Sequence, residues 1–249
     1  MKNTLTLFVF GLLCSQCARV EFEQPLPQGG QEVRALPSSL VGIYQDAEDS
    51  SSVVKKWQRI EYNPQDEAWE MYLHPYLLAA DLANTKEFFV RNDSLFEVAC
   101  ETCKPAFLIF VARKGNHYIA PAKLRYRIEP AKGKFWMYDE GEGRPTQYAL
   151  VLRQQGEVYF LNLKEEGKKY WQTHTLQQTF QGIRLQYLSA PNGNISDLPF
   201  AARVVVGTSA EGNPDTTHVA KPSDLQLAKY LSNTALLNRD ELLRIREKE

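Results

Sequence analysis

Two cysteines separated by two residues, Cys100-Glu101-Thr102-Cys103, form the densest group of reactive side chains in this 249-residue sequence. A thiol pair at this spacing has three uses: a bridge across a turn, a pair of free or redox-active thiols, or part of a metal or haem site. A thioredoxin-type redox motif needs a helix after its first cysteine. Here Lys104-Pro105 and the apolar run 106–111 follow, and they read as a strand. Zinc needs further Cys or His ligands at close spacing, and only His117 is near. Haem attachment wants His after the second cysteine, where Lys104 stands. A structural disulfide between Cys100 and Cys103 is the favoured reading, with the other two left open.

The remaining candidates are thinner. His74, His117, His174 and His218 are scattered without ligand spacing. Asp139, Glu140 and Glu142 cluster beside Gly141 and Gly143. Two carboxylates across a cleft would serve glycoside hydrolysis, but a solvated turn explains the same residues. Trp57, Trp69, Trp136 and Trp171 all fall in strand-like segments. Exposed, they would stack on sugar rings; buried, they are core residues with a polar handle, which is the preferred reading. No G-x-S-x-G elbow, P-loop, H-E-x-x-H or dinucleotide fingerprint is present. The sequence therefore predicts no catalytic residue, no metal and no cofactor.

A fourth kind of chemistry belongs to Cys17. Lys2 precedes an apolar run from Leu5 to Cys14, Ser15 and Gln16 end it, and Cys17 follows. This is the layout of a secretory signal, too short to span a bilayer as a helix. Cleavage before a cysteine, with a diacylglyceryl group placed on its sulfur, is how bacterial lipoproteins are made, and residues 1–17 resemble that signal. Cys17 is the predicted lipidation site. Cys14 and Gln16 occupy positions where such signals usually carry Leu and a small residue, so ordinary secretion is the alternative.

Composition narrows the class. Lys plus Arg is 29 against 30 for Asp plus Glu, a formal charge of -1, so a basic nucleic-acid surface is not indicated. Hydrophobic content of 43% suffices for a core. No second apolar run approaches the roughly 20 residues of a membrane helix.

The elements that must position these residues are mostly strands. Segments 40–44, 53–62, 68–73, 87–90, 95–98, 107–112, 117–120, 124–128, 134–138, 147–152, 158–163, 170–179 and 183–189 carry strand patterns with turn residues between them. Segment 75–82 is ambiguous and includes a short-helix pattern. Such spacing predicts a mainly β fold: an antiparallel meander, sandwich or barrel with short C-terminal helices. Residues 18–37, with Pro25, Pro27, Gly29 and Gly30, read as a flexible tether. The β domain is expected over 38–207, a polar loop over 208–221, and a helical segment over 222–249. In that segment Ser223 and Gln226 form a capping-box pattern before Leu225, Leu227, Ala228 and Leu231. Asn238 and Glu241 repeat it before Leu242, Leu243 and Ile245. Both helices read as covers for sheet edges.

Several segments taken in order resemble an uncharacterised group of lipoproteins from the Bacteroidota. They are the tag Val20 to Gly29, Pro37 before the Leu40-x-Gly42-x-Tyr44 strand, Tyr159-Phe160-Leu161-Asn162 with a later Trp171, and Pro222-Ser223 before a helix. The resemblance implies an outer-membrane address and no known activity. Leu40 to Tyr44 also resembles the opening strand of lipocalin-like barrels, with Tyr44 where Trp is usual. Asp93-Ser94-Leu95 and Asp215-Thr216-Thr217 resemble the O-glycosylation acceptor pattern of that phylum, at Ser94 and Thr216. The expected function is a non-enzymatic, membrane-tethered lipoprotein that binds a partner as an accessory part of an envelope complex. It would reach the outer membrane through its lipid anchor, on either face, with no nucleic-acid partner. The alternatives are a small-molecule or glycan-binding barrel and a hydrolase whose site assembles from distant residues.

Overall fold

The computed structural model describes residues 18–46, 54–98, 103–122, 124–139, 144–190, 195–208, 214–232 and 238–245. In chain order the strands are β1 (Ala18–Phe22), β2 (Gln31–Glu32), β3 (Gly42–Asp46), β4 (Lys55–Asn63), β5 (Ala68–Leu78), β6 (Phe88–Arg91) and β7 (Ser94–Glu97). Then come β8 (Ala106–Phe110), β9 (Ala112–Lys114), β10 (His117–Ile119), β11 (Leu124–Glu129), β12 (Lys134–Asp139), β13 (Thr146–Gln155) and β14 (Val158–Glu165). The last are β15 (Gln172–Gln178), β16 (Gly182–Tyr187), β17 (Ser189–Ala190), β18 (Ala202–Thr208), β19 (Pro214–Ala220) and β20 (Asn238–Ile245). Two α-helices, α1 (Ala79–Ala83) and α2 (Asp224–Ser232), occur among the described residues. The fold is mostly β, as expected, and ten antiparallel strands form a closed barrel. Among the described residues no helix is long and apolar enough to cross a membrane.

The chain divides into two compact units that cut across the expected β domain at 38–207. The described residues up to Pro37, with Glu129–Phe135 and Gln147–Asp240, form the first; Ser38–Ile128, Trp136–Thr146 and the end of the chain form the second.

In the first unit, β13 to β16 run as an antiparallel meander. Tyr148, Leu150 and Leu152 of β13 are buried in strict alternation, so one face of the strand meets the core. Gly156, with φ of 59°, starts the two-residue turn into β14, a conformation that costs glycine little. A separate four-stranded sheet has the order β17-β1-β19-β18. Its core gathers Val20, Phe22, Leu26, Phe160, Leu188, Leu198, Phe200, Ala220, Leu227 and Tyr230.

Three expectations are corrected here. Residues 18–37 are not a free tether. β1 pairs antiparallel with β17 and parallel with β19 from Ala18 onward, and Val20, Phe22, Leu26 and Leu36 are buried. The spaced apolar residues supply burial that outweighs the Pro and Gly signals around them. Residues 208–221 are not simply a loop. Pro214–Ala220 is β19, in unbroken register with β18 from Ala202↔Ala220 to Thr208↔Pro214. Thr216, Thr217 and Val219 are β-branched and suit a strand; Val219 is buried and Thr216 exposed. The capping box at α2 is real: the Gln226 amide donates to Ser223 Oγ at 3.3 Å and the Ser223 amide to Gln226 Oε1 at 2.9 Å. That helix buries Leu227 and Tyr230, while Leu225 is exposed.

The third correction concerns the second C-terminal helix. Asn238–Ile245 is strand β20, which pairs with β3 in the second unit from Leu242↔Asp46 to Ile245↔Ile43. Leu242 is buried and its neighbour Leu243 is exposed, the period of a strand rather than a helix. Tertiary pairing overrides the local cap pattern.

In the second unit the hydrogen-bonded order is β20-β3-β4-β5-β11, with β10 and β9 continuing from β5. Segment 75–82 is mostly strand: β5 extends to Leu78 before the short α1. Tyr44 of β3 is buried, and its hydroxyl donates to the Leu40 carbonyl at 2.8 Å. The small sheet β6-β7-β8 stands apart from the larger one. Asn92 and Asp93 both have positive φ, 50° and 54°, which makes a primed two-residue turn between Arg91 and Ser94.

Candidate functional site

Charged side chains gather on one face of β4, β5 and β11, in the second unit. Register sets it. Arg59 stands opposite Tyr72, which stands opposite Arg125; one row on, Glu61 stands opposite Glu70, which stands opposite Arg127. The other face of β5 and β11 is apolar, with Trp69, Met71, Leu73, Leu124, Tyr126 and Ile128 buried. Alternation therefore collects the polar set on a single side.

These groups mostly satisfy one another. Arg127 bridges Glu70 at 3.2 Å and Asp66 at 3.0 Å. Arg59 pairs with Glu61, and the Tyr72 hydroxyl donates to Glu70. Burial, then the hydrogen bond to and negative charge of Glu70, push the Tyr72 phenol up to about 12. At neutral pH it stays a donor rather than a nucleophile or a base. Arg125 alone leans elsewhere: its guanidinium lies 4.2 Å from the centroid of the Tyr138 ring, and its Nε is buried without a partner. Three guanidinium groups against three carboxylates leave the ladder little net charge.

A second feature is apolar. In the β6-β7-β8 sheet, Phe89 is opposite Phe96, and Phe96 is opposite Phe107. The Phe89 and Phe96 rings stack at 5.2 Å, Phe96 meets Phe107 edge-on at 6.1 Å, and Phe107 meets Phe110 at 5.0 Å. Phe107 and Phe110 are three residues apart and would ordinarily point to opposite faces. A register shift between Leu95 and Phe96 inserts one extra residue on β8 and brings them to the same side. The inner face of this sheet packs Leu95, Phe88, Val90 and Ile109 with Leu77, Val111 and Ala120. The outer face leaves Phe107 50% and Phe110 65% exposed. The row runs from half-buried Phe89 and Phe96 to exposed Phe107 and Phe110.

In the first unit a polar clasp holds the segment after Cys17. Asn162, fully buried on β14, accepts from the Leu26 amide at 2.8 Å and the Thr173 hydroxyl at 2.7 Å. Its Nδ2 donates to the carbonyls of Leu26, Val151 and Phe160. One guanidinium nitrogen of Arg153 donates to the carbonyls of Pro25 and Pro27, each at 2.7 Å. Asp224 accepts from the amides of Gln28 and Gly29 at 2.8 Å. Backbone groups from Pro25 to Gly29, the Pro- and Gly-rich part of the expected tether, are thus answered by side chains.

The residues singled out in the sequence do not converge. Cys17, Cys100, Glu140 and Glu142 lie outside the described residues. Cys103 is disulfide-bonded and exposed, in the connection between β7 and β8. Ser94 is buried on β7, its hydroxyl donating to the Asn92 carbonyl at 3.2 Å, whereas Thr216 is exposed on β19. His74 contacts the Ala120 carbonyl through Nδ1 at 3.1 Å and His117 contacts Asn116; His174 and His218 belong to the other unit. Among the described residues no group of three His, Cys, Asp or Glu is arranged to hold a metal ion. Trp69 is core and Trp171 packs on the core of the first unit, with Lys164 Nζ 4.6 Å from its ring centroid.

Sequence reasoning did not single out the phenylalanine row. Its signal was present: segments 88–90 and 107–110 are apolar at every position, and a hairpin strand buried on one face only should alternate. Comparison with family models, with curated proteins and with solved structures finds no match to this chain.

Proposed function

We propose that the protein is a membrane-tethered lipoprotein that acts by binding, as an accessory component of an envelope complex at the outer membrane. The observation that carries the binding role is the row Phe89, Phe96, Phe107 and Phe110 on the outer face of one small sheet. Its surroundings favour a protein partner. Arg91, Asp93 and Lys104 are exposed around it, with charges of both signs. An anionic bilayer selects a basic rim, whereas a mixed rim around aromatic anchors is the anatomy of a protein interface. The apolar signal and Cys17, with the resemblance to Bacteroidota lipoproteins, support the tether. Two or more acyl chains on that residue, at about 0.8 kcal/mol per buried methylene, hold a protein durably to a membrane. Because β1 begins at Ala18, an acylated Cys17 would join the folded body directly, with no leash between them.

The test has two arms. Palmitate labelling and fractionation of wild type and Cys17→Ala should give a labelled, membrane-bound wild type and an unlabelled, released variant. A photo-crosslinking residue at position 107 should capture one defined envelope protein. The same residue at Phe180, a fully exposed position of the other unit, should not. Phe89→Asp with Phe110→Asp, two members of the row away from the crosslinking position, should keep the label and lose the partner. An unlabelled wild type ends the tether, and capture unchanged by the double variant ends the binding surface.

A second reading, a small-molecule or glycan-binding barrel, draws on the Arg59–Tyr72–Arg125 row with Tyr138 beside it. These are hydrogen-bond donors next to an aromatic face, the pattern that orients polar ligands. Calorimetric titration with envelope glycans, repeated on Arg125→Met, decides it; absence of heat with the wild type removes it.

A further inference from the structure

Strand β18 is the outermost strand of the four-stranded sheet in the first unit, and among the described residues it pairs only with β19. It runs for seven residues, Ala202-Arg203-Val204-Val205-Val206-Gly207-Thr208, in regular register with no bulge. Val204 and Val206 stand 60% and 70% exposed on one face. Natural edge strands are blunted by lysines, prolines, bulges or shortness. This one has none of these. Its single charge, Arg203, is already engaged, donating to Glu23 at 3.0 Å and to the Tyr170 hydroxyl at 3.3 Å.

The sequence of the edge selects its occupant. Laid antiparallel on itself about Val205, it places Val204 opposite Val206, Val205 opposite Val205, and Arg203 opposite Gly207. Every valine then meets a valine, and the guanidinium meets a position without a side chain instead of a like charge. Cross-strand pairs of β-branched residues are favourable and opposed like charges are not. A register that is self-complementary under a two-fold axis is what an isologous contact requires. We propose that β18 is a self-association edge, pairing with the β18 of a second copy of this chain. The paired strands would join the two four-stranded sheets into one continuous sheet, with Val204 and Val206 of both copies forming a single apolar patch. The site is separate from the phenylalanine row and does not depend on acylation of Cys17.

The test is oxidative crosslinking in intact cells producing the full chain. Val205→Cys, at the two-fold position, should give a covalent dimer at least ten times more abundant than Leu225→Cys, a control on an 82% exposed helix position. Adding Val204→Lys and Val206→Lys to Val205→Cys places a lysine opposite each lysine and should return the dimer to the control level. Both valines are mostly solvent-exposed, so these lysines leave the fold intact, which circular dichroism checks. A Val205→Cys yield no higher than the control overturns the proposal. So does a dimer that survives the two lysines, or a crosslink to a different polypeptide.

Discussion

Asn162 is the residue whose loss should be felt most in the first unit. The substitution Asn162→Ala removes a side chain that makes five hydrogen bonds at a fully buried position. Two donors are orphaned, the Leu26 amide and the Thr173 hydroxyl, and both residues are almost completely buried. An unsatisfied buried donor costs about 1–3 kcal/mol. A small cavity adds to this, and an entering water would recover part of it. The expected loss is about 4 kcal/mol, a large fraction of the roughly 5–15 kcal/mol that stabilises a typical domain. In a chain of this size it lowers Tm by roughly 10 °C. The damage should be local first. Amide exchange at Leu26 should accelerate, and proteases should cut between Phe22 and Gly30 before they cut β13–β16. Urea unfolding and residue-level hydrogen exchange measure both. A loss below about 1 kcal/mol with Leu26 protection unchanged would refute the clasp and return 18–37 to a loosely held leash.

Other outcomes follow from the same geometry. Arg153→Met keeps the stem but removes two charge-assisted bonds to the Pro25 and Pro27 carbonyls. It should cost about 1–3 kcal/mol, and a urea midpoint equal to wild type would contradict it. Tyr72 has a folded pKa raised to about 12 from 10.0, so its contribution is complete below pH 10 and is lost as pH rises through 12. Tyr72→Phe should flatten the decline in stability over that window, as thermal melts across pH 9–12 would show; curves of unchanged slope would argue against a Tyr72 pKa raised by burial and by Glu70. Ala in place of Gly133, at φ 61° with its Cβ 3.3 Å from the Leu150 carbonyl, should destabilise by about 1–2 kcal/mol, read by the same urea titration. If either acceptor carries a glycan in the folded protein, the exposed Thr216 should, and the buried Ser94 should not; peptide mass spectrometry of native material separates them.

Much of the fold was legible because strand patterns and turn chemistry are local. Tyr148, Leu150 and Leu152 alternate, Gln155-Gly156 marks the turn, and β13 and β14 follow directly. A turn at Arg91-Asn92-Asp93 was readable in the same way, while the positive φ angles that make it a primed turn came from the structure. The Ser223–Gln226 box, four residues long, was readable because both of its hydrogen bonds are internal to it. The polar ladder on β4, β5 and β11 was hidden for the opposite reason. Each strand showed its own alternation, but which charges share a row depends on the register between strands, and register is not a local quantity.

By itself the sequence determined a mainly β chain, its turns, the cap of α2, and a signal-like start ending at Cys17. Tertiary structure alone decided three things: that 18–37 is clasped by Asn162, Arg153 and Asp224, that Asn238–Ile245 is a strand, and that four phenylalanines share one open face. In each case the deciding partner is distant in sequence or offset by a bulge. Asn162 reaches Leu26 across 136 positions, and β3, far earlier in the chain, supplies the pairing that makes β20 extended. Backbone groups that look unsatisfied in a linear reading acquire partners only when the chain is closed on itself, and local propensity cannot report them.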